Sequence, residues 1–160
     1  MAQKQILAPS VPALTLAQVK SHLRIISGAE DELLLGLIQS AIALLETETA
    51  LALVTQGWRL WLDDIPTTGI VELPRNPVQR ITNVVWYDQT GTPNVLGGNT
   101  YFLNAVTRPA RLRFDRSALP SGLCNGIEID FDAGFGDLGI DIPDIVATGT
   151  FGVDRPLVRI

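Results

Sequence analysis

The sequence is poor in the residues that most often bind metals or carry redox chemistry, with one cysteine, Cys124, and one histidine, His22, among 160 residues. A single cysteine excludes a disulfide within the chain and is compatible with a reducing compartment. One cysteine and one histidine also exclude a zinc site built from these ligands within one chain. We therefore expect neither a disulfide framework nor a structural zinc ion.

Charged residues are also scarce: they make up 18% of the chain, and 12 Lys and Arg stand against 17 Asp and Glu, a formal net charge of −5. A freely soluble protein that binds duplex DNA by its phosphates is usually basic, so this balance does not favour such a role. Hydrophobic residues make up 46%, which argues against a largely disordered chain. Two explanations stay open, a well-buried β-rich domain or apolar surface that partner molecules cover.

Long apolar runs are absent as well. None reaches the roughly 18 residues of a membrane span, and none follows the first residues at the length of a signal peptide. We therefore expect no membrane segment and no secretion leader. The length suits one domain with a proper core, and no internal repeat divides it, so residues 1–160 are treated as a single domain.

The one long helical signal runs from Glu30 to Leu53. Its apolar residues recur at the three- and four-residue spacing of a helix face, at Leu34, Leu37, Ile38, Ala41, Ile42 and Leu45. Leu33, Leu35 and Leu44 widen this face beyond what a surface helix needs. We therefore expect more than one neighbour to cover the helix.

The residues before this helix divide into an arm and a short helix. Residues 1–14 contain two prolines and predict an extended arm that is neither helix nor strand. Thr15 and Gln18 have the spacing of a capping box, which predicts a short helix from Leu16 to about Ile25.

After the long helix the pattern changes from helical to alternating, which predicts β structure from about Trp58 to Ala133. The predicted strands are 58–63, 70–73, 81–87, 101–106, 110–115 and 127–133. The last two carry arginines and acids, respectively, on their polar faces. Because opposite charges favour cross-strand pairs, we predict that these two strands pair antiparallel across the loop 116–125.

Candidate catalytic residues are few. His22 lies on the short helix without a nucleophile-elbow sequence, which favours a surface or packing role. Cys124 lies in a Ser-Gly-Leu-Cys-Asn-Gly loop, which favours an incidental thiol over a nucleophile. A hydrolase that uses either residue stays a minor hypothesis, and we expect no enzyme.

The best metal candidates are acids in the last third of the chain, namely Glu128, Asp130, Asp132, Asp137, Asp141 and Asp144. Calcium needs several oxygens that converge on one point, whereas strand alternation spreads the first three acids along about 13 Å of one face. A charged, solvated face explains them better, so we expect no metal and no cofactor.

The only basic cluster comprises Arg108, Arg111, Arg113 and Arg116. A nucleic-acid site there would need interleaved aromatic residues, but Phe114 points to the opposite strand face from Arg111 and Arg113. Pairing with the neighbouring acids explains the same residues, and both interpretations stay open.

Several segments occur in a distinctive order between about residues 8 and 145. They are Leu-Thr-Leu-Ala-Gln-Val-Lys-Ser-His-Leu-Arg, Glu-Asp-Glu-Leu-Leu-Leu-Gly-Leu-Ile-Gln-Ser-Ala, Leu-Val-Thr-Gln-Gly-Trp-Arg-Leu, Val-Glu-Leu-Pro-Arg-Asn-Pro-Val-Gln-Arg-Ile, Val-Val-Trp-Tyr-Asp-Gln-Thr-Gly, and Phe-Asp-Ala-Gly-Phe-Gly-Asp followed by Ile-Pro. This ordered set resembles the head–tail connector (adaptor) proteins of tailed bacteriophages and phage-like gene transfer agents.

The resemblance implies a non-enzymatic component of a virion or phage-like particle, assembled in the bacterial cytoplasm. Such proteins form a ring beneath the twelve-fold portal of the capsid, join it to the tail and surround the channel through which DNA passes without specific binding. The implied partners are neighbouring copies in a ring, the portal protein and a tail-side stopper or connector protein.

The implied fold is α+β, an N-terminal helical hairpin or bundle with an inserted β-rich module and an irregular C-terminal tail. The expected boundaries are 1–14 for the extended arm, 15–56 for the helical part, 57–135 for the β-rich module and 136–160 for the tail.

The sequence departs from the family pattern at its end, because residues 147–153 do not support the long amphipathic helix that usually follows the Ile-Pro pair. The helix at 30–53 then lacks its usual cover, which we expect a neighbouring subunit or the portal to supply. The candidate interface residues are Leu35, Leu44, Ile145, Phe151, Val153, Arg155, Leu157, Val158, Arg159 and Ile160. The alternative is a non-catalytic β-rich ligand- or protein-binding module, which predicts a stable monomer with one well-formed cleft.

Overall fold

The computed structural model describes residues 1–117, 119 and 126–143, and this part of the chain forms two α-helices and two antiparallel β-sheets. In chain order the elements are β1 (Ala2–Leu7), α1 (Leu16–Leu23), α2 (Asp31–Thr49), β2 (Gln56–Leu62), β3 (Ile70–Glu72), β4 (Val78–Tyr87), β5 (Pro93–Val95), β6 (Tyr101–Asn104), β7 (Arg111–Phe114), β8 (Ile127–Ala133) and a 3-10 turn (Gly139–Asp141). The predicted α+β class is confirmed, with mostly β structure. The helical hairpin or bundle stays a prediction.

The two sheets share one hydrophobic core. The larger sheet has the strand order β1-β2-β8-β4-β5, and the smaller sheet has the order β3-β7-β6. Both contribute to a single buried cluster, which includes Leu60, Val84, Ile129 and Phe131 from the larger sheet and Val71, Leu112 and Phe114 from the smaller one. The alternation read from the sequence therefore identifies the core-facing residues of these strands.

An ion-pair network covers the other face of β8, the central strand of the larger sheet. Arg59 of β2 binds Asp130 through two hydrogen bonds, Nε to Oδ1 at 2.6 Å and Nη2 to Oδ2 at 2.7 Å. The same guanidinium reaches Glu128 at 2.9 Å, and Arg80 of β4 contacts Asp132 at 2.7 Å. Because Asp130 is only 7% exposed, the Arg59 guanidinium compensates for the water that its carboxylate loses on burial.

The C-terminal end of α2 is tied to the sheets by polar contacts. The Glu46 carboxylate accepts hydrogen bonds from the backbone N–H of Leu53 at 2.8 Å and from Gln56 Nε2 at 2.9 Å. Arg75 donates to the backbone carbonyl of Glu46 and stacks on the Trp58 ring at 4.4 Å. These contacts satisfy helix-end carbonyls and loop donors that would otherwise lack partners.

Asn76 joins three segments of the chain and is only 8% exposed. Its backbone pairs with Ala50 and Ala52 just after α2, with hydrogen bonds of 3.0 Å and 2.7 Å. Its side-chain oxygen accepts a hydrogen bond from the N–H of Ala110, immediately before β7, at 3.1 Å. One buried residue therefore links the end of α2 to the smaller sheet.

The starts of both helices agree with the sequence prediction, but the end of α2 does not. The capping box is confirmed, because Gln18 N–H donates to Thr15 Oγ1 at 3.3 Å and Thr15 N–H donates to Gln18 Oε1 at 2.8 Å. The predicted continuation of the long helix to Leu53 is wrong, since α2 ends at Thr49 and Ala50 adopts a left-handed φ of 55°. Within the described residues, neither helix is long and apolar enough to cross a membrane.

The prediction that the arm 1–14 contains no strand is also wrong. Residues Ala2–Leu7 form β1, which pairs antiparallel with β2 from Ala2 opposite Trp61 to Leu7 opposite Gly57. Every side chain of β1 is exposed, so the strand lacks the alternation that marks a half-buried strand. Backbone hydrogen bonds to the edge of β2 hold it in place.

The predicted pairing of β7 with β8 is wrong as well. These strands belong to different sheets, since β8 lies between β2 and β4 whereas β7 lies between β3 and β6. Their apolar faces meet in the shared core. The acids of β8 pair instead with Arg59 and Arg80 of its neighbouring strands, and Arg111 of β7 pairs with Glu72 of β3 at 3.2 Å.

We predict that Asp130→Ala lowers the free energy of unfolding by about 2 kcal/mol, because it leaves a partly buried guanidinium without its main partner. Urea unfolding followed by tryptophan fluorescence measures this change. The control is Arg111→Ala, which removes an ion pair whose side chains are 51% and 56% exposed. The control should change stability by less than about 0.5 kcal/mol, and equal losses for both variants would contradict the prediction.

Candidate interaction surfaces

Of the two catalytic candidates, the structure describes only His22. His22 lies on α1 and lines an apolar groove of about 180 Å³ between the two helices, together with Leu14, Val19, Leu23, Leu34, Leu37, Ile38 and Ala41. This lining contains no serine, cysteine or carboxylate that could act with the imidazole. Cys124 lies outside the residues that the structure describes.

The acids of β8 are occupied by protein partners. Glu128 Oε1 accepts hydrogen bonds from Trp61 Nε1 at 3.0 Å and from the Tyr87 hydroxyl at 2.8 Å. The hydrogen bond to Glu128 raises the pKa of Tyr87 above its ordinary value. Among the described residues, no group of three or more His, Cys, Asp or Glu side chains could hold a metal ion.

The other predicted acids are spread along the chain. Asp141 accepts a hydrogen bond from the backbone N–H of Leu138 at 2.9 Å, and Asp137 lies before the same 3-10 turn. Asp144 is outside the described residues. Of these acids, Asp141 therefore makes a local folding contact at the turn.

The clearest feature of the surface is a group of exposed leucine side chains on α2. Only Leu34 and Ile38 of this helix are buried, whereas Leu33, Leu35, Leu37 and Leu44 are 62%, 44%, 57% and 63% exposed. Ile42 and Leu45 pack against a small cluster of Ala13, Leu53, Val54 and Ile142. The described chain thus covers one face of α2 and leaves apolar surface beside it.

The exposed leucines lie on both sides of the buried face. At about 100° per residue, Leu33, Leu37 and Leu44 fall within about 40° of one another around the helix axis. Leu35 lies about 180° from Leu44. The two described candidate interface residues, Leu35 and Leu44, are therefore exposed on opposite flanks of α2. The remaining candidates, from Ile145 to Ile160, lie outside the described residues.

The basic cluster divides into paired and unpaired residues. Arg111 pairs with Glu72, and Arg116 donates to the carbonyl of Thr67. Arg113 and Arg108 form no ion pair with any residue that the structure describes. Among the described residues, the pairing explanation therefore holds for Arg111 alone, and its partner is on β3 and not on β8.

An exposed aromatic residue beside this cluster was missed in the sequence. Phe102 of β6 is 71% exposed and lies directly opposite Arg113 of β7. A concave surface of about 530 Å³ adjoins both, lined by Thr68, Asn99, Tyr101, Phe102, Arg113, Phe114, Asp115, Arg116 and Ser117. In an alternating strand 101–106, Phe102 points to the opposite face of the sheet from Tyr101 and Leu103. Its exposure could therefore have been predicted from the sequence.

Comparison with known proteins identifies relatives of the chain. The sequence profile of the family described as “Phage gp6-like head-tail connector protein” matches residues 13–93. No curated protein sequence matches the chain.

Three solved structures contain similar chains. One, from “Neck of empty GTA particle computed with C6 symmetry”, is 31% identical with a TM-score of 0.80, and the match covers 94% of this chain and 80% of that chain. A second, from “Virion of native gene transfer agent (GTA) particle”, is 29% identical with a TM-score of 0.81 and the same coverage of 94% and 80%. A third, from “Neck of native GTA particle computed with C12 symmetry”, is 26% identical with a TM-score of 0.78, covering 100% and 88%.

We predict that the exposed leucines contribute little to the stability of the single chain. Leu44→Gln should change the free energy of unfolding by less than about 0.5 kcal/mol. The matched variant Leu34→Gln, in the same helix, should lower it by about 3 kcal/mol because Leu34 is only 8% exposed. Leucine and glutamine have similar helix propensities, so urea unfolding isolates the effect of burial. A large decrease in the unfolding free energy of Leu44→Gln would show that the chain itself covers this residue.

Proposed function

Because the chain belongs to the phage gp6-like head-tail connector proteins, we propose that its copies form a closed ring in the neck of a phage-like particle. The chain is a structural connector of the particle neck, at the head–tail junction of the virion. Two of the similar chains come from necks computed with C6 and C12 symmetry. These symmetries support a ring of twelve copies around the channel through which DNA leaves.

The observation that carries the ring proposal is the apolar surface on both flanks of α2. A ring of identical subunits is built from head-to-tail contacts, so each copy needs two different surfaces that bind neighbours. Leu44 on one flank and Leu35 on the other supply apolar contact area on opposite sides of one helix. In the ring, these flanks are covered by other chains.

The ring joins two further partners, the portal protein on the capsid side and a stopper or connector protein on the tail side. The last residues of the chain are rich in apolar side chains and include two arginines. We assign the portal or neighbour contact to Ile145, Phe151, Val153, Arg155, Leu157, Val158, Arg159 and Ile160. Apolar side chains with arginine at their edge are the composition that protein interfaces favour.

The proposed role requires no catalysis and no cofactor. The β8 acids Glu128, Asp130 and Asp132 serve as partners for Arg59, Arg80 and Tyr87, and His22 lines an apolar groove. The net charge of −5 suits a channel wall, because DNA that slides past must not be held by its phosphates. Assembly takes place in the bacterial cytoplasm, where a chain with one cysteine needs no disulfide.

We predict that Leu35→Gln and Leu44→Gln each fold normally yet enter particles poorly, because each removes apolar contact with a neighbouring chain. The amount of the variant in purified particles, measured by quantitative mass spectrometry, should fall at least about tenfold. Val95→Thr is the control, since Val95 is 72% exposed on β5, away from α2. Normal levels of both glutamine variants in particles would refute the role of the flanks.

We predict that deletion of residues 146–160 abolishes entry into particles while the β-rich module stays folded. The physical reason is that the deletion removes the apolar side chains assigned to the portal or neighbour contact. Near-ultraviolet circular dichroism of the truncated protein reports on the fold, and electron microscopy of particles reports on the neck. Particles that contain the truncated chain at the normal level would exclude this segment from the interface.

A further inference from the structure

We propose that the outer face of the smaller sheet is the docking surface for the N-terminal part of α2 of a neighbouring copy. This inference rests on the proposed ring and names two surfaces that would meet in it. Both surfaces consist of described residues that include exposed apolar side chains. The surface on the smaller sheet carries positive charge, and the surface on α2 carries negative charge.

The receiving surface is a row of three residues across the smaller sheet. Arg113 of β7 lies directly opposite Ile70 of β3 on one side and Phe102 of β6 on the other. Ile70 is 37% exposed and Phe102 is 71% exposed, so an arginine stands between two apolar side chains in water. At the usual strand spacing this row is about 10 Å long.

The row borders the concave surface of about 530 Å³, which can receive a side chain from a partner. Arg113 forms no ion pair with the described residues, and Arg116 binds only the backbone carbonyl of Thr67 there. Asp115 also lines the concavity, and its Oδ1 accepts hydrogen bonds from Ser117 N–H at 3.0 Å and Ser117 Oγ at 2.7 Å. Because the lining holds two arginines and one carboxylate, its net charge is positive.

The donating surface is a stripe at the start of α2. Leu33 and Leu37 fall within about 40° of each other around the helix axis, and Glu30 is the N-cap residue immediately before the helix, so the stripe is about 10 Å long. Leu33 and Leu37 are 62% and 57% exposed, and Glu30 forms no ion pair with the described residues. The stripe thus presents an acid with two leucines, which complements the arginine between two apolar residues.

The partner is a second copy because the two surfaces belong to separate parts of one chain. From α2, Ile42 and Leu45 pack on the cluster of Ala13, Leu53, Val54 and Ile142, whereas β7 packs in the core between the sheets. Two complementary surfaces on different parts of a subunit generate head-to-tail contacts, which close into a ring when the rotation permits. Charge complementarity also selects against wrong orientations.

Cysteine cross-linking in particles tests this contact directly. In a Cys124→Ser background, Leu33→Cys combined with Phe102→Cys should give a ladder of disulfide-linked multimers after mild oxidation. The control combines Val95→Cys with Phe102→Cys, since Val95 is exposed on β5 outside both surfaces, and should give no ladder. Absence of a ladder from the first pair, in particles that contain the chain at the normal level, would overturn the inference.

A charge exchange provides the second arm. Glu30→Arg and Arg113→Glu should each lower the amount of the chain in particles at least about tenfold, because each places like charges opposite one another. The double variant should restore most of the loss, and Lys4→Glu, a reversal on β1, should have no effect. Single reversals without effect would also overturn the inference while leaving the ring intact. Absence of the wild-type chain from particles would instead refute the proposed function.

Discussion

The central strand β8 depends on arginines from both of its neighbours. Its apolar side chains fill the core between the sheets, so its acids must face the other way in a row. Arg59 from β2 and Arg80 from β4 balance the negative charge of that row, and Arg59 holds Asp130 by two hydrogen bonds. Because the paired charges are close and partly buried, they fix the register of three strands as well as contributing to stability. The three β8 acids among the candidate metal ligands are explained by this register.

The helical part differs from the sheets in what it leaves uncovered. The sheets bury their apolar faces against each other, whereas α2 buries one face and exposes leucines on both sides of it. Exposed leucines of this number on one helix are costly in water unless another chain covers them. The fold therefore separates two tasks, with a self-sufficient β core and a helix whose surface suits contacts between subunits.

Much of the fold could be predicted from the sequence, because local signals were strong at particular places. The Thr15–Gln18 capping box and the alternation in β2, β7 and β8 are local, and the structure contains them. Strand β1 could not be recognised, since all of its side chains are exposed and its backbone pairing with β2 leaves no alternating pattern in the sequence. Charge complementarity predicted the wrong neighbour for β8, because it identifies compatible strands without specifying which of them is adjacent. The end of α2 at Ala50 has no sequence signal, as an alanine occupies a left-handed position that usually favours glycine.

The buried Asn76 links the end of α2 to the start of β7 through three hydrogen bonds. Because this joint is short and shielded from water, the helix and the smaller sheet are held at a fixed angle to each other. In any ring whose contacts involve these two parts, that angle sets the curvature, and the curvature sets how many copies complete the circle. In such a ring, the number of copies then depends on a rigid joint inside the subunit as well as on the surfaces in contact.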